Sequence, residues 1–261
     1  MAWQSPKLDW APEDGLLNTD MNRIEGNVEY LHDNIEVAIS SILKESLHLH
    51  VSPTGSDTTG DGTQAKPFAT IGKALSLVPP NLNNNNAVVY LAAGTYNEPI
   101  SISNKSNGGV VIAGVDRAAA VLNGDFSARE CTSVSISDFS SLTINGHMYL
   151  DTVQAMCCQA DDLVIVDSTY GSAIDARASN LSVSSRVRVK SVSYGSGVLA
   201  SVNSRVFCDS ITVDSGTGTG IYADYGGQVA YGTITNNATT GVRTSNGGRV
   251  YYGAQTSVPN Y

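Results

Sequence analysis

Hydrophobic residues recur along this chain with two different periods, and the first is a heptad between residues 19 and 46. Its apolar positions are Met21, Ile24, Val28, Leu31, Ile35, Ala38 and Ile42. The flanking positions are polar, so the stripe is narrow, as in helices that pair along a coiled-coil seam. Isoleucine occupies the later a positions and favours more than two strands, so we predict a parallel homotrimer. The alternative is a helix packed on its own domain.

The second period is two, which is typical of strands, and it dominates from residue 47 to the end. Short apolar segments alternate there with Gly, Asn, Asp and Ser. A helix is predicted near residues 68–78, where the apolar spacing is helical and Pro79-Pro80 follows. Ahead of the heptad, residues 1–18 form an irregular arm whose Trp3 and Trp10 need a surface to cover. We expect that surface to belong to another chain.

Similar segments recur within the strand-rich region. They begin at residues 172, 197, 220 and 241, which are 25, 23 and 21 residues apart. This spacing suits one coil of a β-solenoid, in which each coil buries the apolar face of its neighbour. Alternation predicts two inward stacks, Val198–Ile221–Val242 and Val206–Val229–Val250. The pairs Gly226-Gly227 and Gly247-Gly248 mark the places where the coil turns.

Alternation also predicts two outward columns on these repeats. They contain Leu199, Tyr222 and Arg243 in the first column, and Phe207, Ala230 and Tyr251 in the second. Apolar side chains that point outward indicate a contact surface. We favour a contact between the subunits of the trimer. The alternative is a platform on which a sugar ring of a host-surface glycan stacks.

Composition agrees with a mostly β protein, since only 15% of the residues are charged and 25 of 261 are glycine. The net charge is −9 and no basic patch stands out, so we expect neither nucleic-acid nor anionic-membrane binding. No stretch is apolar enough to insert into a membrane, and the N-terminus shows no secretory-signal pattern, so we expect assembly in a cytoplasm. The four cysteines lack metal-ligand spacing and are expected to be reduced core residues.

No set of residues predicts catalysis or a cofactor. β-Helix enzymes that cut polysaccharides bring carboxylates together on one outward face, but residues 51–261 contain only two glutamates, and the aspartates sit in turn contexts. Arg186, Arg188 and Lys190 alternate along one strand and form either a solvated face, which we favour, or a site that neutralises a uronate. His147 has no obvious partner.

No metal site is predicted either. Asp57 and Asp61 lie in the loop "GSDTTGDGT". Their spacing does not fit an EF-hand, so we predict a structural turn there. Calcium bound through the carboxylates and backbone carbonyls is the alternative.

Two segments resemble known protein classes. The segment "HVSPTGSDTTGDGTQAKPFATIGKAL" resembles the opening segment of right-handed parallel β-helix proteins of the pectin-lyase-like class, in which a capping helix precedes the coils. The segment "DWAPEDGLLNTDMNRIEGNVEYL" resembles the N-terminal attachment segment of tail and baseplate-associated proteins from phages of Gram-positive bacteria. The Gly-Gly coils look like those of phage β-helix spikes.

The resemblance implies a division into three parts. Residues 1–18 are an attachment arm, residues 19–46 a coiled-coil helix, and residues 47–261 a right-handed parallel β-helix with a capping helix near 68–78. It implies a structural virion protein of a phage or phage-like particle. We expect a trimeric spike or fibre that joins tail, baseplate or capsid proteins through its N-terminus and attaches to the host surface. The alternative is a polysaccharide depolymerase, either a glycoside hydrolase or a lyase, acting on host surface glycans.

Overall fold

The structure is a computed structural model that describes residues 18–40, 43–168, 172–192, 195–252 and 256–257. The chain divides into two compact units, Met1–Ile42 and Leu43–Tyr261. Trp3, Trp10 and Ile42 lie outside the described residues, so the attachment arm and the last heptad position stay predictions.

The first unit contains one described helix, α1, which spans Asn18–Ser40. Residues 43–46, which the heptad segment included, are not helical and belong to the second unit. Four heptad side chains of α1 are exposed: Met21 by 42%, Ile24 by 46%, Val28 by 60% and Leu31 by 46%. Ile35 and Ala38 lie on the same helix, but their side chains are outside the described ones. Neither the coiled coil nor the trimer is shown by these observations.

The second unit is built almost entirely of strands, with α2 spanning Ile71–Ser76. The strands are β1 Leu47–Val51, β2 Asn81–Leu91, β3 Gly94–Tyr96, β4 Ile100–Gly114, β5 Ala119–Leu122, β6 Phe126–Ser137, β7 Ser141–Asn145, β8 Met148–Gln159, β9 Asp162–Ser168, β10 Ile174–Arg177, β11 Asn180–Val192, β12 Ser196–Ser201, β13 Arg205–Ala223, β14 Gln228–Thr244, β15 Arg249–Tyr252 and β16 Thr256–Ser257. A short irregular turn covers Val115–Arg117. Among the described residues, no helix is both long and apolar enough to cross a membrane.

The strands stack into three parallel faces. Face A contains residues 47–51, 87–91, 110–114, 133–137, 155–159, 181–183, 205–208, 228–231 and 249–252. Face B contains residues 94–96, 119–122, 141–145, 162–168, 186–192, 210–213 and 233–236. Face C contains residues 100–105, 126–131, 148–153, 174–177, 196–200, 219–223 and 240–244. Among the strands that the structure describes, only the β15–β16 pair is antiparallel. The predicted β-solenoid is therefore confirmed as a parallel β-helix.

The inward stacks follow the predicted alternation. Val198 pairs with Ile221 on face C, and both are fully buried. Val206, Val229 and Val250 are likewise buried in register on face A. Val242, on the last coil of face C, is half-buried and packs against the same core. Since each coil covers only its neighbours, burial falls off at the final coil.

The repeated Gly-Gly pairs sit at the corner between faces C and A. The first glycine of the pair has a positive φ, +75° at Gly226 and +80° at Gly247, a conformation that glycine adopts at no steric cost. The second glycine has no room for a side chain, because a Cβ on Gly227 would lie 2.1 Å from the carbonyl oxygen of Ala200. The corner therefore explains why this dipeptide recurs.

Two carboxylates fix the short helix at the first end of the solenoid. Asp57 accepts hydrogen bonds from the backbone N–H groups of Ala69 and Thr70, at 2.8 and 3.0 Å, and from the Thr70 hydroxyl. Glu98 accepts the backbone N–H groups of Ile71 and Gly72. These bonds satisfy the otherwise orphaned donors of the first helical turn. Helix α2 is shorter than the predicted 68–78 segment.

The Asp57–Asp61 loop uses its carboxylates for backbone geometry. Asp61 accepts hydrogen bonds from the backbone N–H and the hydroxyl of Thr63, at 3.0 and 2.7 Å, which closes an Asx-type turn. In the described parts of the chain, no three His, Cys, Asp or Glu side chains are grouped in a way that could hold a metal ion. The geometry of this loop is that of the predicted structural turn.

The four cysteines are free thiols. Cys131, Cys158 and Cys208 are buried, while Cys157 is only partly so, because adjacent residues of a strand point to opposite faces. Burial raises the pKa of the Cys158 thiol to about 11. Cys131, Cys158 and Cys208 are therefore core residues, as the sequence predicts, and Cys157 is not.

Candidate functional site

Exposed apolar side chains of the second unit concentrate on the coils formed by residues 181–252, which we call the last coils. Among the described side chains of this unit, the exposed large hydrophobic residues are Leu77, Val202, Phe207 and Tyr225. Three of these four belong to the last coils, although the inward residues there resemble those of every other coil. A cluster of exposed apolar side chains on one part of a surface marks a contact site.

The second predicted column forms part of a groove on face A. The register places Phe207, Ala230 and Tyr251 side by side on neighbouring strands. Phe207 is 44% exposed and Tyr251 is half-buried. With their neighbours they line an open groove of about 360 Å³. Its lining residues are Ala155, Met156, Asn180, Leu181, Ser182, Arg205, Val206, Phe207, Gln228, Ala230 and Tyr251.

A polar column runs beside these rings and was missed at the level of sequence. Asn180, Arg205, Gln228 and Arg249 pair in register, two residues before Ser182, Phe207, Ala230 and Tyr251 respectively. Within the described parts of the chain, neither Arg205 nor Arg249 has an ion pair or a hydrogen-bonded acceptor for its guanidinium. The groove therefore combines exposed rings with amide and guanidinium donors.

The corner beside the groove carries two exposed apolar residues in an unusual backbone conformation. Val202 has a φ of +53° and is 49% exposed, and Tyr225 has a φ of +43° and is 62% exposed. A β-branched residue with positive φ is an outlier, because its Cβ crowds the following carbonyl. At the equivalent corner of the next coil the residue is Asn246, and Asn adopts positive φ more readily than a β-branched residue does. Placing these exposed apolar residues at the corner therefore strains the backbone there.

The first predicted column lies on face C and forms a small polar network. Leu199, Tyr222 and Arg243 are in register, and the Arg243 guanidinium lies 5.1 Å from the centre of the Tyr222 ring. The Tyr222 hydroxyl donates to Asp224 at 3.2 Å and contacts the Ser245 hydroxyl at 2.8 Å. Because the guanidinium covers one face of the ring, a stacking sugar would have access only to what remains of it.

Hydrogen bonds control the charge of Asp224 in this network. Partial burial alone would raise the pKa of its carboxyl group. Ser245, Asn246, the backbone of Tyr225 and Tyr222 all donate to the carboxylate, and together they hold its pKa below the usual value. Asp224 is thus an ionised acceptor and not a proton donor at neutral pH.

A second tyrosine cluster lies on the same face, three strand pairings earlier. Arg129 and Arg177 lie 4.8 and 5.3 Å from the ring centre of Tyr149, and Arg177 is held by Asp175 at 2.8 Å. Burial, with a smaller contribution from Asp151, raises the pKa of Tyr149 above its usual value despite the opposing arginines. Sequence reasoning missed this cluster, since no Gly-Gly pair marks its coil. The strand register, which aligns Tyr149, Asp175, Leu199 and Tyr222, is the signal that would reveal this cluster.

The basic strand on face B is partly neutralised. Arg186 pairs with Asp162 of the preceding coil at 2.9 Å, whereas Arg188 and Lys190 are exposed on the same face. His147 has a partner that the sequence did not reveal. Its Nδ1 lies 3.1 Å from Asp125, which also accepts the His147 backbone N–H. These contacts connect neighbouring coils of the β-helix.

A second cleft, of about 360 Å³, lies near the first end of the solenoid. It is lined by His50, Tyr90, Gly114, Val115, Asp116, Arg117 and Asp138. The His50 and Tyr90 rings stack at 4.8 Å, and burial, followed by repulsion from His48, lowers the pKa of His50. Asp116 and Asp138 both have positive φ, +49° and +59°. Two carboxyl groups and an imidazole that is neutral at pH 7 therefore share one cleft.

Comparison with known proteins gives one partial match. Residues 53–142 match a family described as "Protein of unknown function (DUF1565)", which is associated with β-helix-like proteins. The matched segment covers the loop with Asp57 and Asp61, helix α2 and the strands up to the start of β7. No curated protein and no solved structure matched the chain. The match agrees with the parallel β-helix and assigns no activity.

Proposed function

We propose that this protein is a structural virion protein of a phage or phage-like particle, a trimeric spike or fibre that attaches to the host surface. In this proposal, the N-terminal arm joins other virion proteins of the tail, baseplate or capsid. Helix α1 holds three copies together, and the β-helix is the part that meets the host. The chain has the two components that such a protein needs, a heptad helix and a stacked rod of coils.

The exposed heptad stripe of α1 is the observation that carries the proposal. Met21, Ile24, Val28 and Leu31 share one helix face and are 42% to 60% exposed in the single chain. Fully burying a large apolar side chain contributes about 1.5–3 kcal/mol, so covering this stripe is strongly favourable. The heptad spacing fits copies of the same helix, because knobs-into-holes packing repeats every seven residues.

Light scattering of the full chain tests the assembly. We expect a molar mass of three chains of 27.3 kDa for the wild-type protein. Val28→Asp places three carboxylates at the seam and should yield the single-chain mass, since buried like charges are strongly unfavourable. Asn22→Asp adds the same charge on the exposed, non-heptad side of α1 and serves as the control. A wild-type mass of one chain would refute the trimer, and a density map of the intact particle tests the virion assignment.

Polysaccharide depolymerisation is the second candidate function, favoured by the cleft that contains Asp116, Asp138 and His50. Hydrolases use paired carboxyl groups on opposite sides of the scissile bond, and this cleft contains two carboxyl groups. Reducing-end and unsaturated-uronate assays on host glycans decide between the two functions. Turnover that is abolished by Asp116→Asn or Asp138→Asn would establish the depolymerase, and absence of turnover supports the attachment protein.

A further inference from the structure

We propose that the groove on face A of the last coils binds an anionic saccharide chain. The proposal rests on the proposed attachment function, and it names the class of ligand that one surface of the attachment protein binds. The residues that carry the argument are Arg205, Phe207, Gln228, Tyr251 and Arg249, which lie in two neighbouring columns of face A. The first four line the groove, and Arg249 follows Gln228 in the polar column.

Charge distribution selects an anionic ligand. The whole chain has a net charge of −9, but residues 181–261 contain six Arg or Lys and three Asp, a net charge of +3. Arg205 and Arg249 stand on either side of Gln228 in one column, two strand spacings or about 10 Å apart. Neither guanidinium has an acidic partner among the described residues. The local field therefore attracts anions to a groove on an otherwise acidic protein.

The side chains in the groove select a saccharide among anionic ligands. Phe207 and Tyr251 expose rings, against which the apolar face of a sugar packs as other flat apolar surfaces do. Asn180, Gln228 and the two arginines offer amide and guanidinium groups in a row, which suits a ligand with many hydroxyl groups and spaced anionic groups. The groove is open and follows the stacking direction of the coils, so it fits a chain better than a compact ligand.

Other occupants fit this groove less well. An extended peptide cannot add to the sheet here, because the strands of face A are already paired on both sides. Packing this groove against the same groove of a parallel copy would bring their arginines together, which like charges disfavour. Two arginines about 10 Å apart are a sparse contact for a nucleic acid, whose phosphates are far more closely spaced.

The strained corner supplies an independent argument for selection of an exposed surface. Val202 and Tyr225 keep positive φ while exposing 49% and 62% of their side chains, at the corner that leads directly into Arg205 and Gln228. Thr152 and Ala178 have the same positive φ at earlier corners, so what distinguishes this corner is that its side chains are large, apolar and exposed. The two residues place exposed apolar side chains on the other side of the polar column from Phe207 and Tyr251.

Binding of the full chain to four immobilised polymers tests the proposal. The probes are alginate, which carries carboxylates, phosphomannan, which carries phosphates, dextran, which is uncharged, and duplex DNA, which is anionic without exposed sugar rings. We expect binding to at least one of the first two, weakening as salt rises because of screening, and no binding to dextran or DNA. The better of the first two probes identifies the anionic group. Absence of binding to both, or equal binding to DNA, overturns the proposal.

Matched variants locate the site. Arg205→Gln and Arg249→Gln should each weaken binding at least about tenfold, the effect of losing one charge-assisted hydrogen-bonded contact. Arg188→Gln removes the same charge from face B and should leave the affinity unchanged. Phe207→Ala should weaken binding, while Phe207→Tyr keeps the ring and the affinity. An equal effect of Arg188→Gln would show that net charge alone attracts the polymer and would overturn the groove assignment.

The measurement separates this inference from the proposed function. Each variant should keep the wild-type melting temperature and molar mass, because none of these residues lies on α1. A trimer that binds none of the polymers refutes the saccharide groove and leaves the assembly intact. A monomer that binds alginate through Arg205 and Phe207 refutes the trimer and leaves the groove intact.

Discussion

The coils formed by residues 81–159, which we call the first coils, and the last coils share one framework and differ in what they turn outward. Residues 81–159 contain six Asp or Glu and three Lys or Arg, a net charge of −3, whereas residues 181–252 have a net charge of +3. No large hydrophobic side chain is exposed in the first coils, all of which the structure describes, but Val202, Phe207 and Tyr225 are exposed in the last coils. Stacking dictates the inward residues, so the outward difference reflects how each surface is used.

A core substitution tests whether the two regions share their framework. Ile136 in the first coils and Ile211 in the last coils are both fully buried. Replacing either with Ala should lower the free energy of unfolding by about 2–5 kcal/mol, because each leaves a cavity in the one hydrophobic core that the coils share. Denaturant unfolding measures both changes. A much smaller loss for Ile211→Ala would show that the last coils are loosely packed, and the comparison of equal frameworks would fail.

Removing the Asp57 carboxylate, which binds the start of helix α2 at the first end of the solenoid, should have a smaller effect on stability. That effect should depend on pH. Partial burial opposes ionisation of Asp57, but the bonds from Thr70 and Ala69 and the nearby Lys73 outweigh it, so the pKa of Asp57 is lowered. Asp57→Ala should cost about 1–2 kcal/mol at pH 7, the usual value of an N-terminal helix cap. A carboxylate with a lowered pKa stabilises above its unfolded pKa and loses that effect on acidification.

The difference between wild type and Asp57→Ala should therefore shrink as the pH falls below about 4, near the unfolded pKa of Asp. Thermal unfolding at several pH values measures it. A difference that stays constant down to pH 2 would mean that the carboxylate charge contributes nothing to the cap. Asp61→Ala, which removes an exposed turn contact of the same loop, is the matched control.

A substitution at the corner of the last coils should have the smallest effect on the free energy of unfolding. The direction of that effect tests the strain argument. Val202→Asn should raise the free energy of unfolding by up to about 1 kcal/mol, because Asn tolerates positive φ better than a β-branched residue. Chemical denaturation detects the gain. A loss of stability would mean that the exposed Val202 side chain makes contacts that stabilise the single chain, and the strain argument would then be wrong.

The repeat could be predicted because its last copies are marked by Gly226-Gly227 and Gly247-Gly248, which the corner requires. Earlier corners are formed by residues such as Thr152 and Ala178, which adopt the same positive φ. No glycine pair therefore marks these corners in the sequence. The register of the earlier coils therefore stayed hidden, and with it the cluster around Tyr149. The +3 charge of the last coils was also hidden, since the net charge of −9 for the whole chain averages it with the acidic first coils.

Contacts between coils were the other part that sequence could not supply. Asp125 with His147, and Asp57 with Thr70, are 22 and 13 residues apart, so their meeting depends on the length of each coil and loop. The outward columns were within reach, because alternation alone assigns Phe207 and Tyr251 to one side of a strand. The polar column of the groove required the register of four strands and became visible only with the fold.

Hydroxyl-radical footprinting of the assembled full chain, with and without alginate or phosphomannan, tests most directly whether the last coils are the ligand-binding surface. The method reports the solvent exposure of individual aromatic side chains. Phe207 and Tyr225 should react readily in the free protein and become protected by the polymer that binds. Tyr90, a half-buried ring outside the last coils, should react equally in both states. Protection of Phe207 and Tyr225 before any polymer is added, or no change after it, would contradict the account.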